Sequence, residues 1–166
     1  MSTDAATAAT TYITPALKDS LNVWSAPEVS HPVDCSDIRK WAIAVYWPEV
    51  PPKIFWDEAY AKTTKHGGII APREFNPFAW PAVRPADRAA RPAKRGVGER
   101  TMNGGQKETY GVPIRPGDVI TSKTALVKME ENTGKLGLTL YKYTEMRWTN
   151  QKGEFVRSRI SISIVY

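Results

Sequence analysis

Apolar residues recur at helical spacing through the first half of the chain and alternate with polar ones through the second, and the period changes near Met102. From Pro15, the stretch PALKDSLNVW sets Leu17, Leu21 and Trp24 on one helical face, which predicts a short helix ended by Ala26-Pro27. A clearer helix follows. Asp34 is placed to cap its free N–H groups, Asp37 adds negative charge to its first turn, and Ile38, Trp41, Ala42 and Val45 line one face before Trp47-Pro48 ends it. After the proline-broken loop PEVPP, a further helical pattern begins at Asp57 and stops at Gly67-Gly68. Phe75, Phe78 and Ala79 then share a face, predicting a short apolar helix begun by Pro72.

Beyond Met102 the expected strands run over 103–111, 119–129, 136–148 and 155–166. The last is the sharpest, with Ile160, Ile162 and Ile164 alternating with Ser161, Ser163 and Val165. Asn132-Thr133-Gly134 and Asn150-Gln151-Lys152-Gly153 read as hairpin turns. Helices first and an antiparallel meander second give an α+β fold with helix packed on one face of the sheet.

Composition narrows this picture. A chain of 166 residues, 42% hydrophobic and 24% charged, with 11 glycines and 13 prolines, is one globular domain and neither disordered nor fibrous. We expect a flexible tail over residues 1–14 and a single domain over 15–166. One cysteine, Cys35, excludes an internal disulfide, and with His31 and His66 it supplies too few soft ligands for a structural zinc, so no metal is expected. The start of the chain lacks the basic and apolar regions of a secretory signal and no run is long enough to span a bilayer. The expectation is a cytoplasmic protein with no membrane association.

The net charge of +6 points to an anionic partner, and most of the excess falls in one segment. Arg84, Arg88, Arg91, Lys94, Arg95 and Arg100 face only Asp87 and Glu99 there. Nucleic-acid binding would call for aromatics among these charges, and none occurs between Val83 and Thr109, which argues against it. There is no phosphate loop, dinucleotide fingerprint or nucleophile elbow; Gly96-Val97-Gly98 lacks the strand and helix that would give it meaning.

Several motifs nevertheless stand in a telling order: IRKWAIAV, a Pro-rich loop running into IFWDEAYA, GGIIAP, GGQKETYGVPIRPGDVI, EMRWTNQKGEFV and the closing alternating strand. Together, over residues 15–166, they resemble the MaoC-like acyl dehydratases of the hot-dog fold, specifically their N-terminal-type domain. The block GVPIRPGD, residues 111–118, is the most distinctive piece. The resemblance implies an antiparallel sheet wrapped around a central helix, and an acyl-CoA or acyl-carrier thioester bound in the cleft between two paired hot-dog units. It implies no cofactor beyond the coenzyme A thioester that is the substrate.

Active hydratases of that family carry a Gly-Asp-x-Asn-Pro-x-His loop whose Asp and His hold one water. The water loses a proton as it attacks C3, and C2 gains one. In this chain the corresponding loop runs from Tyr46 to Asp57. Glu49 stands near the Asp position and Pro52 matches the motif's Pro, but the His position holds Ile54 or Phe55. An apolar side chain cannot transfer the proton. The family includes heteromeric members in which one unit keeps the dyad and the other widens the acyl cavity, and this chain resembles the second kind.

The implied function is that of a non-catalytic subunit of a heteromeric enoyl-CoA hydratase. Its partner in a heterodimer or heterotetramer is a dyad-bearing MaoC-like hot-dog subunit. Glu49, Asp57 and His66 are the only, weak, catalytic candidates. Gly67, Gly68, Phe75, Phe78 and Trp80 are candidates for acyl contact, the glycines because backbone N–H groups there can polarise a thioester carbonyl. Arg84, Arg88, Arg91, Lys94 and Arg95 are candidates for the phosphates of coenzyme A. The alternatives are a stand-alone acyl-CoA binding protein and a homodimeric hot-dog hydratase or thioesterase.

Overall fold

The computed structural model describes residues 11–79, 98–135 and 137–166. Helix α1 spans Pro15–Asp19, strand β1 Glu28–Val29, helix α2 Cys35–Tyr46 and helix α3 Glu58–Thr63, with a single 3₁₀ turn at Lys53–Phe55 between the last two. Four long strands follow, β2 Thr101–Tyr110, β3 Thr121–Gly134, β4 Gly137–Thr149 and β5 Phe155–Val165. They form one antiparallel sheet in the order β1-β3-β4-β5-β2, so β2 returns to the far edge after the three-strand meander. The α+β expectation holds.

Helix α2 forms as its sequence predicts. The Asp34 carboxylate accepts from the Ser36 N–H at 2.6 Å, and Ile38 and Ala42 point inward and are fully buried. Ile38 meets Val33, Ile114, Ile120, Trp148 and Val156 in the core, with Trp41 and Phe55 packed against it. Helix α1 is shorter than its periodicity predicts: Asn22 adopts a left-handed φ of 60°, and the chain turns to run beside β3, where the Asn22 N–H donates to the Leu126 carbonyl at 2.8 Å. Leu21 and Trp24 therefore do not continue a helical face, and Trp24 lies under the Arg147 guanidinium, 5.1 Å from its ring centre. At the segment's start, Thr11 Oγ1 and the N–H groups of Tyr12 and Ile13 all donate to the Glu131 carboxylate of β3.

The apolar helix expected from Pro72 does not form in the described residues. Residues 72–79 make successive turns, with the Phe75 N–H on the Pro72 carbonyl at 3.0 Å and the Ala79 N–H on Asn76 at 3.2 Å. The cause is local: Pro77 has no N–H and disfavours a helical Asn76, whose side chain captures the Phe78 N–H instead, at 3.1 Å. The first hairpin is also tighter than expected, because β3 and β4 pair as far as Gly134–Gly137.

The GVPIRPGD block ties the layers together. The Ile114 carbonyl accepts from Ala71, the Gly117 N–H donates to Val33, and Asp118 accepts from the Arg115 N–H and from Gln151. A Cβ at Gly111 would sit 2.1 Å from the Phe155 carbonyl oxygen, a backbone atom that cannot step aside. Gly111→Ala is therefore expected to lower stability by about 1–3 kcal/mol or more, read as a fall in the urea midpoint; an unchanged midpoint would contradict the close approach.

The register also sorts the faces of the sheet. Trp148 and Met146 of β4 stand opposite Arg157 and Arg159 of β5, while Ile160, Ile162 and Ile164 pair with Glu145, Tyr143 and Tyr141 on the other face. The isoleucine row thus lies away from the Trp148 core with Ser158, and the face toward α2 carries Arg157, Arg159, Ser161 and Ser163 of β5.

Candidate functional site

Two cavities open on that face and share Trp148 and Arg157 as a common wall. The first, about 280 Å³, lies between the chain after α3 and the start of the GVPIRPGD block. Its floor is apolar, with Ile70, Ala71, Val112 and Ile114, and its polar lining among the described residues includes Lys65, His66, Arg73, Tyr110 and Arg157 but no carboxylate. The second, about 350 Å³, extends from the shared wall to Trp41 of α2 and Phe78 of the 72–79 turns.

Arg157 is 4% exposed, and its Nη2 donates to Glu108 Oε1 at 2.6 Å. Arg159 Nε donates to the same oxygen at 2.7 Å, and the Tyr110 hydroxyl donates to Oε2. The Arg157 guanidinium lies 5.5 Å from the Tyr110 ring centre and 5.1 Å from that of Trp148, and Arg73 also lies over Tyr110 at 5.5 Å. Burial pushes the Glu108 carboxyl up, but the hydrogen bonds from Tyr110, Arg157 and Arg159 outweigh it and hold the group at about 2. The Tyr110 hydroxyl is pushed up by its own burial and by the bond to Glu108. Glu108 thus stays ionised and Tyr110 neutral at physiological pH. This pins a cationic wall between the two cavities.

The sequence candidates are scattered around this centre. His66 lines the smaller cavity, and its backbone N–H donates to Thr64 Oγ1 at 3.2 Å. Asp57 caps α3 by accepting from the Tyr60 N–H at 3.0 Å, Glu49 is exposed on the loop after α2, and neither lines either cavity. Gly67 takes a left-handed φ of 66° in the turn after α3, with Gly68 beside it near Arg115. Phe75 is buried edge-on against Trp41 at 5.6 Å, whereas Phe78 tilts on Trp148 at 5.5 Å and faces the larger cavity. Ile54 and Phe55 fall in the 3₁₀ turn, with Phe55 packed on the core and 5.9 Å from the Tyr46 ring. Trp80, Arg84, Arg88, Arg91, Lys94 and Arg95 lie outside the described residues.

Reasoning from sequence did not single out Lys65, Arg73, Glu108, Tyr110, Arg157 or Arg159. A signal existed: Glu108 with Tyr110, and Arg157 with Arg159, each sit two residues apart in an alternating segment, which places each pair on one face. Among the described residues no helix is long and apolar enough to cross a membrane.

The family described as "FAS1-like, dehydratase domain region" matches the chain over residues 22–159. No curated protein matches it. Among solved structures, a chain of the ChsH1-ChsH2 complex from Mycobacterium tuberculosis superposes with a TM-score of 0.65 at 19% identity, covering 86% of this chain and 84% of that one. The MaoC-like dehydratase from Rhodospirillum rubrum gives 0.57 at 18% identity, over 90% and 95% of the two chains. A chain of the HadBC 3R-hydroxyacyl-ACP dehydratase complex from Mycobacterium tuberculosis gives 0.54 at 16%, over 85% and 93%. These likenesses establish the hot-dog fold.

Proposed function

The chain belongs to the FAS1-like dehydratase-region family, and on that premise we propose that it is the non-catalytic subunit of a heteromeric enoyl-CoA hydratase. The feature that carries the reading is the segment Lys53–Phe55, a 3₁₀ turn in the structure, in which the family resemblance sets Ile54 or Phe55 where active hydratases carry a proton-transferring His. Phe55 is packed on the core there. Two of the structural relatives, ChsH1-ChsH2 and HadBC, are themselves complexes, which supports a division of labour between unlike subunits. Strand β2 supports it as well. It is an edge strand, exposed along nearly its whole length, and offers backbone groups to a second sheet.

In this reading the chain contributes acyl-binding surface and the partner contributes the Asp/His pair. The apolar floor of the smaller cavity takes pantetheine or the first acyl carbons, and Phe78 faces the remainder of the chain. Lys65 and Arg73 at the mouth hold coenzyme A phosphates, with Arg84, Arg88, Arg91, Lys94 and Arg95 as further phosphate contacts. Lys65→Ala with Arg73→Ala is expected to weaken acyl-CoA binding by about tenfold, with affinity falling as salt rises. Acyl-pantetheine should be little affected. Equal losses for both ligands would place the two side chains on the acyl part instead.

The deciding experiment is co-expression with a hot-dog chain that carries Gly-Asp-x-Asn-Pro-x-His, followed by size-exclusion chromatography and a crotonyl-CoA hydration assay. One co-eluting, active complex is expected. A stable homodimer that turns over thioesters by itself would overturn the assignment.

A further inference from the structure

Three buried side-chain nitrogens find no hydrogen-bond partner among the described residues: Nε1 of Trp41, Nε1 of Trp148 and Nε of Arg157. All three residues line the same cavity, the larger one of about 350 Å³. A buried donor left without an acceptor has given up its hydrogen bond to water and received none in return, and buried tryptophan N–H groups ordinarily find a partner. The three nitrogens are closed off from the cavity in this conformation, so an acceptor oxygen bound there reaches them only as the side chains around them shift.

The charges say what kind of oxygen. Arg157 and Arg159 both line the cavity, but each already donates to Glu108 Oε1, and the carboxylates of Glu28 and Glu74 belong to the same lining. Two guanidinium groups against three carboxylates leave no surplus positive charge for an anionic ligand. A neutral hydroxyl or carbonyl oxygen fits better, since it accepts from an indole or guanidinium N–H, and a hydroxyl can also donate to a glutamate. Register adds Thr144 and Ser161 to the same face of the sheet, next along from Met146 and Arg159, so the polar character continues beyond the cavity.

We propose that this cavity receives the part of the acyl group remote from the thioester, and that it selects acyl groups bearing neutral oxygen functions there, hydroxyl or carbonyl, over plain alkyl chains. The proposal rests on the hydratase-subunit reading for the thioester and on the three unpartnered donors for the oxygen.

The test compares ligands of equal carbon number by titration calorimetry, with the chain in complex with its partner: octanoyl-CoA, 7-hydroxyoctanoyl-CoA, 7-oxooctanoyl-CoA and the ω-carboxylate suberyl-CoA. The hydroxy and oxo thioesters are expected to bind at least tenfold more tightly than octanoyl-CoA, and suberyl-CoA no more tightly. Trp41→Phe and Trp148→Phe keep the ring and remove the N–H, and each should cut the hydroxy-over-alkyl ratio about threefold or more. Equal affinity for octanoyl and 7-hydroxyoctanoyl thioesters would overturn the proposal, with the donors then serving only bound water. A ratio that survives both variants would overturn it too. A second arm uses methyl octanoate and methyl 7-hydroxyoctanoate. A hydroxyl preference there, without binding of any coenzyme A thioester, would uphold the cavity's selectivity and overturn the hydratase reading; no discrimination in either arm overturns the inference itself.

Discussion

Purified alone, the chain is expected to leave crotonyl-CoA unhydrated, and activity is expected to appear when a dyad-bearing partner is added. Hydration needs one group to take a proton from water and another to protonate C2, and losing a positioned acid or base costs on the order of 10²–10⁴ in rate. Among the described residues no such pair stands near the cavities: His66 lines one of them, but Glu49 and Asp57 line neither, and Asp57 is engaged as a helix cap. Ile54→His or Phe55→His is not expected to rescue it. Phe55 packs on the core, so a His there would be drawn into apolar surroundings, and Glu49 sits exposed beyond α2 and lines neither cavity. A chain that hydrates crotonyl-CoA unaided, and loses that activity in His66→Ala, would refute the assignment.

The parts of the fold that were legible in the sequence are those where local and tertiary preferences agree. In α2 the cap, the first-turn charge and the apolar face all point the same way, and Ile38 and Ala42 are buried as the spacing predicts. The four long strands were legible for the same reason, to within five residues at their ends, whereas the two-residue β1 was not expected. Residues 72–79 failed because an i, i+3 pattern of apolar side chains ignores the backbone: Pro77 and the Asn76 side chain turn the chain before a helix can propagate. In β5 the alternation was right, yet the pattern alone does not say which face meets the core. The isoleucine row turned out to face away from Trp148.

The candidate site was legible only in outline. The expectation that Ile54 or Phe55 stands at the His position rests on the family resemblance and needs only the sequence. The network around Glu108 joins residues 49 to 51 positions apart, whose meeting depends on β2 crossing to the far edge beside β5. No local rule contains that crossing. Lys65 and Arg73 similarly flank the Gly67-Gly68 turn in sequence, and only the folded chain brings them to one cavity with Arg157.

That network carries the last prediction. Arg157→Met is expected to destabilise the chain by about 1.5–3 kcal/mol, because it removes a charge-assisted hydrogen bond from Glu108, which keeps those from Arg159 and Tyr110, and takes the guanidinium from between the Tyr110 and Trp148 rings. Arg157→Lys should not restore the loss, since an ammonium lacks the planar fork that lies between two rings while reaching Glu108. The pH dependence follows from Glu108. Its carboxyl titrates near 4.5 when unfolded and at about 2 when folded, so between those values the unfolded chain binds the proton first. The stabilisation is complete above about 4.5 and is lost as pH falls toward about 2. Glu108→Gln removes this contribution, and the difference between the wild-type and Glu108→Gln unfolding curves should be flat above that window and narrow within it, by at most about 1.4 kcal/mol per pH unit. Taking the difference cancels the other acidic groups, such as Glu58 and Glu130, whose pairing with lysines also lowers their pKa. A difference that stays constant down to pH 2, or an Arg157→Met protein as stable as wild type, would show that the arginines and Glu108 do not hold one another in the folded chain.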